Sequence, residues 1–333
     1  MRGDSHRRRP RAIEPRVKRD RLLAHTPLGS GIEFDAIRRM LERWGPRARH
    51  IGDDAAVITT LGERALIVST DTSVENVHFR REWLSPQEIG YRAVAAALSD
   101  VAAMGAEPLG ILACLAFPKE WRSRLDALGD GIGEAAALAR APIIGGDMSR
   151  ASELSLTISV LGTARDVLFR TSARPGDRIY MTGELGGSLA ALEEFQAGRD
   201  PAPDHRARFA HPVPRIREAA WLAEQGAAAA IDVSDCLAAD LGHLAAASRA
   251  RITIDLGSIP KSRGVSAVDA VRSGEEYEIV VSSWKDIDQR AFRHEFNLDL
   301  TAIGVVEQGT PGVRFTLDGR QVEIPSGYLH FNE

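Results

Sequence analysis

Residues 65–72 read Ala-Leu-Ile-Val-Ser-Thr-Asp-Thr, an apolar run that ends in polar side chains. This pattern predicts a short buried strand, and α/β proteins place their ligands at the carboxyl end of such strands. We therefore expect Asp71 to lie at a binding edge of a sheet. The sequence also contains start and stop signals for the helix that follows. Ser85-Pro86-Gln87-Glu88 supplies an N-cap, a proline and an early acid, and Gly105 supplies the stop.

Apolar runs and helical periodicity alternate along the rest of the chain. Ordered structure is predicted from Gly31 onward, and a proline-glycine turn at 174–177 separates two stretches in which strands and helices interleave. The sequence therefore predicts an α/β (α+β) protein of two domains. We expect a basic, disordered extension over 1–28, an N-terminal metal- and ATP-binding domain over 29–165 and a C-terminal domain over 166–333. Predicted strands are 109–117, 142–144, 154–162, 178–182, 230–233 and 252–256, and predicted helices are 127–139, 186–195, 213–225 and 236–248.

Composition is that of an ordinary globular protein and narrows the possible partners. The chain has 333 residues, 44% of them hydrophobic and 26% charged, and no apolar run approaches the roughly 18 residues that a membrane helix needs. Two cysteines, and no apolar segment after Met1, favour the cytoplasm. Residues 1–21 carry a net charge of +6 and the remainder −10, so the acidic body argues against a nucleic-acid partner.

Five separate segments place aspartates beside glycine, serine, threonine or alanine, with few lysines near them. Two carboxylates about 4 Å apart repel by roughly 4 kcal/mol at an effective dielectric of about 20, so a cluster of them requires a cation. Hard divalent ions, alongside phosphates, are the natural candidates. The segments contain Asp53 with Asp54, Asp71, Asp100, Asp147, and Asp232 with Asp235.

Each segment taken alone also has a plain structural interpretation. Asp53 and Asp54 are typical of a surface turn. Asp100 lies about one turn before the end of its helix, where the helix dipole disfavours a carboxylate by roughly 0.3–1 kcal/mol. A buried partner, a cation or a helix-end hydrogen bond would each account for it. Gly145-Gly146-Asp147 follows a predicted strand and would let backbone N–H groups approach a phosphate.

The remaining single-residue signals are weak or negative. Ser234 or Asp235 would serve equally well as an N-cap for the helix that follows them. His78 alone is more typical of a structural histidine than of a base. The chain has no Gly-x-x-x-x-Gly-Lys-[Ser/Thr] loop, no Gly-x-Gly-x-x-Gly, no His-Glu-x-x-His and no paired Cys-x-x-Cys, so these nucleotide and zinc motifs are excluded.

Taken together, the segments resemble the thiamine-monophosphate kinase family, in the superfamily that includes aminoimidazole ribonucleotide synthetase and selenophosphate synthetase. The resemblance covers about residues 30–330 and rests on the order and spacing of its motifs. These motifs are Gly52-Asp53-Asp54-Ala55-Ala56-Val57, Ser69-Thr70-Asp71-Thr72, Val77-His78-Phe79, Ser99-Asp100 through Ala106, Gly145-Gly146-Asp147, Asp232-Val233-Ser234-Asp235, Asp240-Leu241-Gly242-His243 and Gly274-Glu275-Glu276-Tyr277-Glu278.

The resemblance implies an ATP- and Mg²⁺-dependent transfer of a phosphoryl group to the phosphate of thiamine monophosphate, in a homodimer built through the N-terminal domains. It implies that Asp53, Ser69, Thr70, Asp71, Asp100, Asp147, Asp232 and Asp235 bind metal, with Asp53, Asp71, Asp100 and Asp147 as the catalytic set. It implies that Gly146, Asp147, Arg170 and Ser234 contact the nucleotide. It implies that His78, Glu275 and Tyr328 contact the thiamine phosphate.

Two alternatives stay open because the chain departs from the family pattern. One is a related ATP-dependent enzyme with a different acceptor, and the other is a catalytically weak paralogue that binds nucleotide or thiamine phosphate. Cys236 replaces a permissive glycine beside a metal ligand, and Glu276 is one methylene longer than the usual aspartate. Met148 and Leu329 replace a threonine and an aspartate, respectively. Every aspartate of the metal set is nevertheless present.

Overall fold

The computed structural model describes residues 25–49 and 51–324, and the structural statements below concern these residues. The predicted extension lies mostly outside them, as do Tyr328 and Leu329. Thr26 falls within the predicted extension but is buried, and its hydroxyl donates a hydrogen bond to Asp53 at 2.7 Å. The folded chain therefore begins before residue 29.

Nine α-helices and twelve β-strands form the described part of the chain. The helices are α1 (Ile32–Trp44), α2 (Pro86–Ala103), α3 (Leu125–Leu138), α4 (Gly187–Gln196), α5 (Pro203–Ala210), α6 (Ile216–Glu224), α7 (Leu237–Ser248), α8 (Ala267–Arg272) and α9 (Gln289–Phe296). The strands are β1 (Ala56–Leu61), β2 (Arg64–Val74), β3 (Glu107–Phe117), β4 (Ile143–Arg150), β5 (Ser155–Ala164), β6 (Arg178–Thr182), β7 (Ala227–Asp232), β8 (Arg251–Asp255), β9 (Ile279–Ser283), β10 (Leu300–Glu307), β11 (Gly312–Leu317) and β12 (Arg320–Val322).

The strands form two sheets that correspond to the two halves of the sequence. The first has the order β1-β2-β5-β3-β4 and the second the order β12-β11-β8-β10-β6-β9-β7. Pairing is antiparallel except between β3 and β4 and between β8 and β11. Within the described residues, no helix has the length and apolar character needed to cross a membrane.

Two expected strand ends are wrong. β2 continues to Val74, and Asp71 pairs with Ile158 in the middle of the sheet. Likewise Gly145-Gly146-Asp147 lies inside β4 rather than after it. Both errors have one cause, since polar and glycine residues continue a strand when a neighbouring strand bonds their backbone groups. Asp71 therefore does not occupy the carboxyl edge of a parallel sheet.

Helix α2 is confirmed and connects the two halves. Ser85 and Glu88 form a reciprocal capping box at its start, and the chain leaves it through Gly105, whose φ of +66° suits glycine. Leu98 is fully buried on α2, within an apolar core that extends from the N-terminal sheet to Leu222 and Phe292 of the C-terminal half. Burial on several sides explains why this helix is apolar nearly all round.

Helices α2 and α3 approach closely through glycines. A Cβ at Gly131 would lie 1.8 Å from the carbonyl oxygen of Gln87, and one at Gly90 would lie 2.2 Å from that of Leu128. Gly129 and Gly133 have open space at the same position. The glycines of α3 thus divide into one that packing requires and two that it does not.

We expect Gly131→Ala to lower the free energy of unfolding by about 2–3 kcal/mol, because the added methyl group forces the helices apart. Gly133→Ala, two residues away on the same helix, should raise it by about 0.5–1 kcal/mol through helix propensity. Urea denaturation of both variants measures this difference. Equal stabilities would show that the close contact does not constrain the fold.

Candidate active site

Three carboxylates meet where the N-terminal sheet, α2 and the C-terminal sheet come together. Asp54 lies in the loop before β1, Asp100 near the end of α2, and Asp232 at the end of β7. One oxygen of each lies within 4.8 Å of the other two. Because carboxylate oxygens are the ligands that hard divalent ions prefer, this carboxylate cluster fits such a cation.

Two serines donate hydrogen bonds to the cluster, while burial disfavours its charge. The Ser69 hydroxyl donates to Asp100 and the Ser99 hydroxyl to Asp232, each at 2.6 Å. Burial, followed by neighbouring carboxylates, holds the pKa of Asp100 well above its ordinary value. Burial and then a neighbouring carboxylate raise the pKa of Asp232 to about 7. The protein alone therefore leaves the cluster short of positive charge.

Arg170 supplies one positive charge beside the cluster. Its guanidinium donates two hydrogen bonds to Asp54, from Nε at 2.9 Å and from Nη2 at 2.5 Å. The backbone N–H of Arg170 donates to Asp53 at 2.8 Å. The structure thus places Arg170, which the resemblance assigned to the nucleotide, as the counter-ion of an aspartate.

Asp54 is the residue that the sequence interpretation missed. We expected Asp53 to bind metal, but its two oxygens accept hydrogen bonds from Thr26 and from the backbone of Arg170. Asp54 instead joins the cluster, and its side chain is fully buried. The adjacent pair of acids was the available signal, but a sequence does not say which member of a turn points inward.

Strand β2 presents its expected ligands on opposite faces. Ser69 and Asp71 share one face because side chains alternate along a strand, and the charge of Asp71 contributes to the raised pKa of Asp100. The Thr70 hydroxyl lies on the other face, where it forms a hydrogen bond with Ser159 at 3.0 Å. The Thr70 hydroxyl is therefore directed away from Ser69 and Asp71, and the role of Thr70 as a metal ligand stays a prediction.

Asp147 and Gly146 lie away from the cluster. Strand register places Asp147 in one row with Thr157 and Thr72, on the face of the sheet opposite Asp71. Three strand spacings of about 4.8 Å also separate β4 from β2. Within one chain, the structure does not bring Asp147 to the other aspartates, contrary to expectation, because β4 is an edge strand.

A strained loop carries Glu275. Glu275 and Tyr277 have φ values of 55° and 56°, a conformation that non-glycine residues adopt at a cost of about 1–3 kcal/mol each. The loop is held by its backbone, since the N–H of Glu275 donates to the Ser234 carbonyl at 2.6 Å and that of Tyr277 donates to the Val233 carbonyl at 2.8 Å. The two acidic motifs that contain these residues therefore form one rigid unit.

Backbone hydrogen bonds and buried ion pairs also hold this loop in place. The Glu276 carboxylate accepts hydrogen bonds from the backbone N–H groups of Gly186 and Ser188, at 2.7 and 3.1 Å. Arg208 bonds both Glu276 and Glu278, at 3.0 and 2.8 Å. The glutamate that replaces the family's aspartate thus reaches the N-terminus of α4, where the helix dipole favours a negative charge.

The other departures from the family pattern also have clear positions. Cys236 has φ 171°, an extended conformation open to any residue, so a glycine is not required there. Burial raises the pKa of its thiol to about 11, which keeps it protonated at neutral pH. Met148 lies on exposed β4, away from the cluster. The departures from the family pattern at Glu276, Cys236 and Met148 therefore leave the carboxylate cluster in place.

Helix α2 bonds the C-terminal half through one stripe of side chains. Glu88, Arg92 and Ser99 lie on the same side of the helix because they are spaced by four and seven residues. Arg92 is buried, and it also donates to the Phe209 carbonyl at 2.9 Å. The partners of the three residues are Arg206, Glu275 and Asp232, respectively.

His78 stands in a turn that follows β2. Its Nδ1 accepts a hydrogen bond from the backbone N–H of Val74 at 3.1 Å. Glu75, in the same turn, is buried and accepts hydrogen bonds from Trp121 at 3.1 Å and from the backbone of Leu154 at 3.2 Å. The turn is therefore fixed to the N-terminal core, and Nδ1 of His78 has a structural role.

Comparison with known proteins identifies the class to which this fold and site belong. Residues 52–164 match the AIR synthase related protein N-terminal domain, and residues 174–315 match the corresponding C-terminal domain. The expected two-domain architecture is confirmed by these matches. A solved structure described as AaThiL complexed with AMPPCP and TMP has a TM-score of 0.79 and 29% identity, covering 90% of this chain and 97% of its own.

Full-length relatives narrow the class further. The thiamine-monophosphate kinase of Bacillus subtilis is 33% identical over 330 residues, covering 90% of this chain and 99% of its own. The crystal structure of thiamine-monophosphate kinase from Stenotrophomonas maltophilia is 33% identical, with a TM-score of 0.70 and coverage of 88% and 98%. This chain belongs to the thiamine-monophosphate kinase family, so the resemblance drawn from its motifs is confirmed.

Replacing Asp100 with asparagine should stabilise the metal-free protein. The substitution removes a carboxyl group whose ionisation is disfavoured by burial and by neighbouring carboxylates, and it keeps an acceptor for Ser69. We expect a gain of about 1–2 kcal/mol, a fraction of the roughly 4 kcal/mol between two charges 4 Å apart at an effective dielectric of about 20. Thermal unfolding in a metal chelator measures the gain.

The same variant should lose stabilisation by Mg²⁺, because ligands that bind only the native state raise its melting temperature. Asp130→Asn, an exposed aspartate on α3, serves as the matched control and should keep the full Mg²⁺ response. An undiminished response in Asp100→Asn would contradict the assignment of the carboxylate cluster as a cation site.

Proposed function

We propose that this protein transfers the γ-phosphoryl group of ATP to the phosphate of thiamine monophosphate, giving thiamine diphosphate, with Mg²⁺ held at the carboxylate cluster. The convergence of Asp54, Asp100 and Asp232 carries the proposal. Three clustered acids with one adjacent arginine form a site that favours added cations. The kinase names of the relatives, and the AMPPCP and TMP of the AaThiL structure, support the choice of substrates.

The chemistry suits a site that offers acids and no dedicated base. The acceptor is already an anionic phosphate oxygen, so the enzyme has no proton to remove before transfer. The main obstacle is repulsion between two phosphates. When bound, Mg²⁺ would offset this repulsion and spread the negative charge of the transition state. Asp54, Asp100 and Asp232 would hold the metal, with Ser69 and Ser99 orienting two of these carboxylates.

Helix α2 sets the distance between the proposed acceptor contact at Glu275 and the carboxylate cluster at Asp232. Arg92 bonds Glu275, which the resemblance assigns to the acceptor, and Ser99 bonds Asp232 of the cluster. Seven residues of helix separate them, a rise of about 10 Å. The acceptor would thus lie along α2, with its phosphate directed to the carboxylates. Because both contacts cross between the domains, α2 would also fix the domain arrangement during transfer.

We further propose a homodimer through the N-terminal domain, with the domain boundary near 165–166. All residues of the edge strand β4 are exposed, including Ile143, Ile144 and Met148, which are 50%, 56% and 65% exposed. Unpaired strand edges with apolar side chains favour association. Sedimentation at the mass of a single chain at micromolar concentration would contradict the dimer. We assign the protein to the cytoplasm because Cys114 and Cys236 are free thiols.

The decisive assay supplies purified protein with Mg-ATP and thiamine monophosphate and follows thiamine diphosphate by chromatography. We expect product from the unmodified chain and at least a hundredfold lower kcat from Asp71→Asn, which removes a charge beside Asp100. Asp130→Asn should retain the parent rate, because its side chain is exposed on α3.

Three other results would redirect the proposal. ATP turnover with another phosphorylated acceptor, and none with thiamine monophosphate, would identify a related enzyme of different specificity. Binding of both substrates without turnover would identify a binding protein. Full activity in Asp71→Asn would remove Asp71 from the mechanism while leaving the reaction itself in place.

A further inference from the structure

The loop 274–278 carries three glutamates, and arginines bond all three. Arg208 and Arg215 bond the second and third glutamates, and both arginines belong to the C-terminal half, as the loop does. The first glutamate, Glu275, is bonded by Arg92, which belongs to α2 in the N-terminal half. The position of the Glu275 carboxylate therefore depends on contact between the two halves of the chain.

Arg92 is held firmly enough to orient its partner. It is 3% exposed, and its Nη1 donates a hydrogen bond to the Phe209 carbonyl at 2.9 Å. The guanidinium lies 4.2 Å from the centre of the Phe209 ring, and Nη2 donates to Oε2 of Glu275. Burial disfavours the charge of Arg92, but Glu275, foremost among its neighbours, raises its pKa. A charged guanidinium is thus fixed between α5 and Glu275.

Glu275 remains accessible although Arg92 does not. The Glu275 side chain is 29% exposed and that of Arg92 is 4% exposed. Arg92 bonds Oε2 of Glu275, which leaves Oε1 outside this hydrogen bond. The backbone of Glu275 is also fixed, by its positive φ of 55° and by its N–H bond to the Ser234 carbonyl. Strained positions of this kind are concentrated at ligand sites, so the accessible part of Glu275 is suited to bind a ligand.

The charge around Arg92 favours a cationic ligand. Asp71 as well as Glu275 lies close enough to Arg92 to raise its pKa, so two acids share one arginine and negative charge is left over. Thiamine monophosphate has a permanently positive thiazolium ring, joined to its phosphate by a two-carbon chain. With the phosphate at the metal held by the carboxylate cluster, the positive ring would lie toward Glu275, where a charged partner strengthens the contact.

A second ion pair joins α2 to α5 and provides an internal comparison. Arg206 of α5 donates to Glu88 of α2, from Nη1 at 2.5 Å and from Nη2 at 3.0 Å. Glu88 lies one helical turn before Arg92, and its other contacts belong to the capping box of α2. The two arginines therefore join the same helices, but of the two only Arg92 bonds the loop. Comparing them separates the contact between helices from the contact with Glu275.

We propose that Arg92 is a positioning residue for the acceptor, and that it orients the Glu275 carboxylate toward the cationic ring of thiamine monophosphate. The inference rests on the proposed function and extends it, because it adds a residue of the N-terminal half to the acceptor end of the site. Arg92 acts through Glu275 and does not itself contact the substrate. Loss of Arg92 should therefore weaken acceptor binding and spare nucleotide binding.

Replacing each arginine by methionine provides the test. Arg92→Met keeps apolar contact with Phe209 and removes the bond to Glu275, whereas Arg206→Met, the matched control, removes only the bond to Glu88. We expect Arg92→Met to weaken thiamine monophosphate binding at least tenfold, with binding of ADP and Mg²⁺ changed less than twofold. Arg206→Met should bind both as the parent does. Calorimetric titration with each ligand separately measures these affinities without turnover.

A second set of variants covers the case in which Arg92→Met does not fold. Arg92→Lys keeps the charge, but an ammonium group lacks the planar geometry with which Arg92 bonds both Glu275 and the Phe209 carbonyl. We expect it to weaken thiamine monophosphate binding three- to tenfold. Glu275→Gln should weaken that binding at least tenfold, and adding Arg92→Lys to it should change the affinity less than twofold further, because Arg92 acts only through Glu275.

Three results would overturn the inference. These are unchanged thiamine monophosphate affinity in the Arg92 variants, an equal loss in Arg206→Met, and additive losses when Arg92→Lys is combined with Glu275→Gln. If the parent makes thiamine diphosphate while any of these holds, the proposed reaction stands and the role of Arg92 fails. A parent that makes none, but whose thiamine monophosphate binding is lost selectively in Arg92→Met, would refute the reaction and leave the role of Arg92 standing.

Discussion

The mutual repulsion of buried carboxylates is the constraint on which this structure depends. Asp54, Asp100 and Asp232 come from segments far apart in sequence, and folding brings their oxygens within 4.8 Å of one another. Repulsion in such a place opposes folding, so other contacts must compensate for it. Arg170 offsets part of the negative charge, and burial of the apolar core shared by the two halves of the chain favours the folded state against this repulsion.

Helix α2 organises the site around these carboxylates. Its buried apolar sides hold it between the N-terminal sheet and the C-terminal half, and its polar stripe bonds the second half at Arg206, Glu275 and Asp232. The loop that carries Glu275 is in turn bonded to the backbone of 233–234. The residue proposed to contact the acceptor and a carboxylate proposed to hold the metal are thereby linked through a single helix, which suits a reaction that requires two phosphates in line.

Much of the architecture was predictable because it depends on local signals. The capping box at Ser85 and Glu88 marked the start of α2, and Arg178–Thr182 matched a predicted strand residue for residue. The family, too, followed from the order of short motifs. The ends of β2 and β4 were not predictable, because their polar and glycine residues are held in strands by partners distant in sequence.

The sequence by itself determined which acids are available and in what order, since the motifs that contain them depend on residue type and spacing. Only the tertiary structure decided their roles. It directed Asp54 into the cluster in preference to Asp53, and β-sheet register placed Asp147 on the opposite face from Asp71. It also left Nδ1 of His243 unpaired beside a cavity. The physical reason is that the direction of a side chain depends on backbone pairing and packing across the whole chain, which residue identity does not specify.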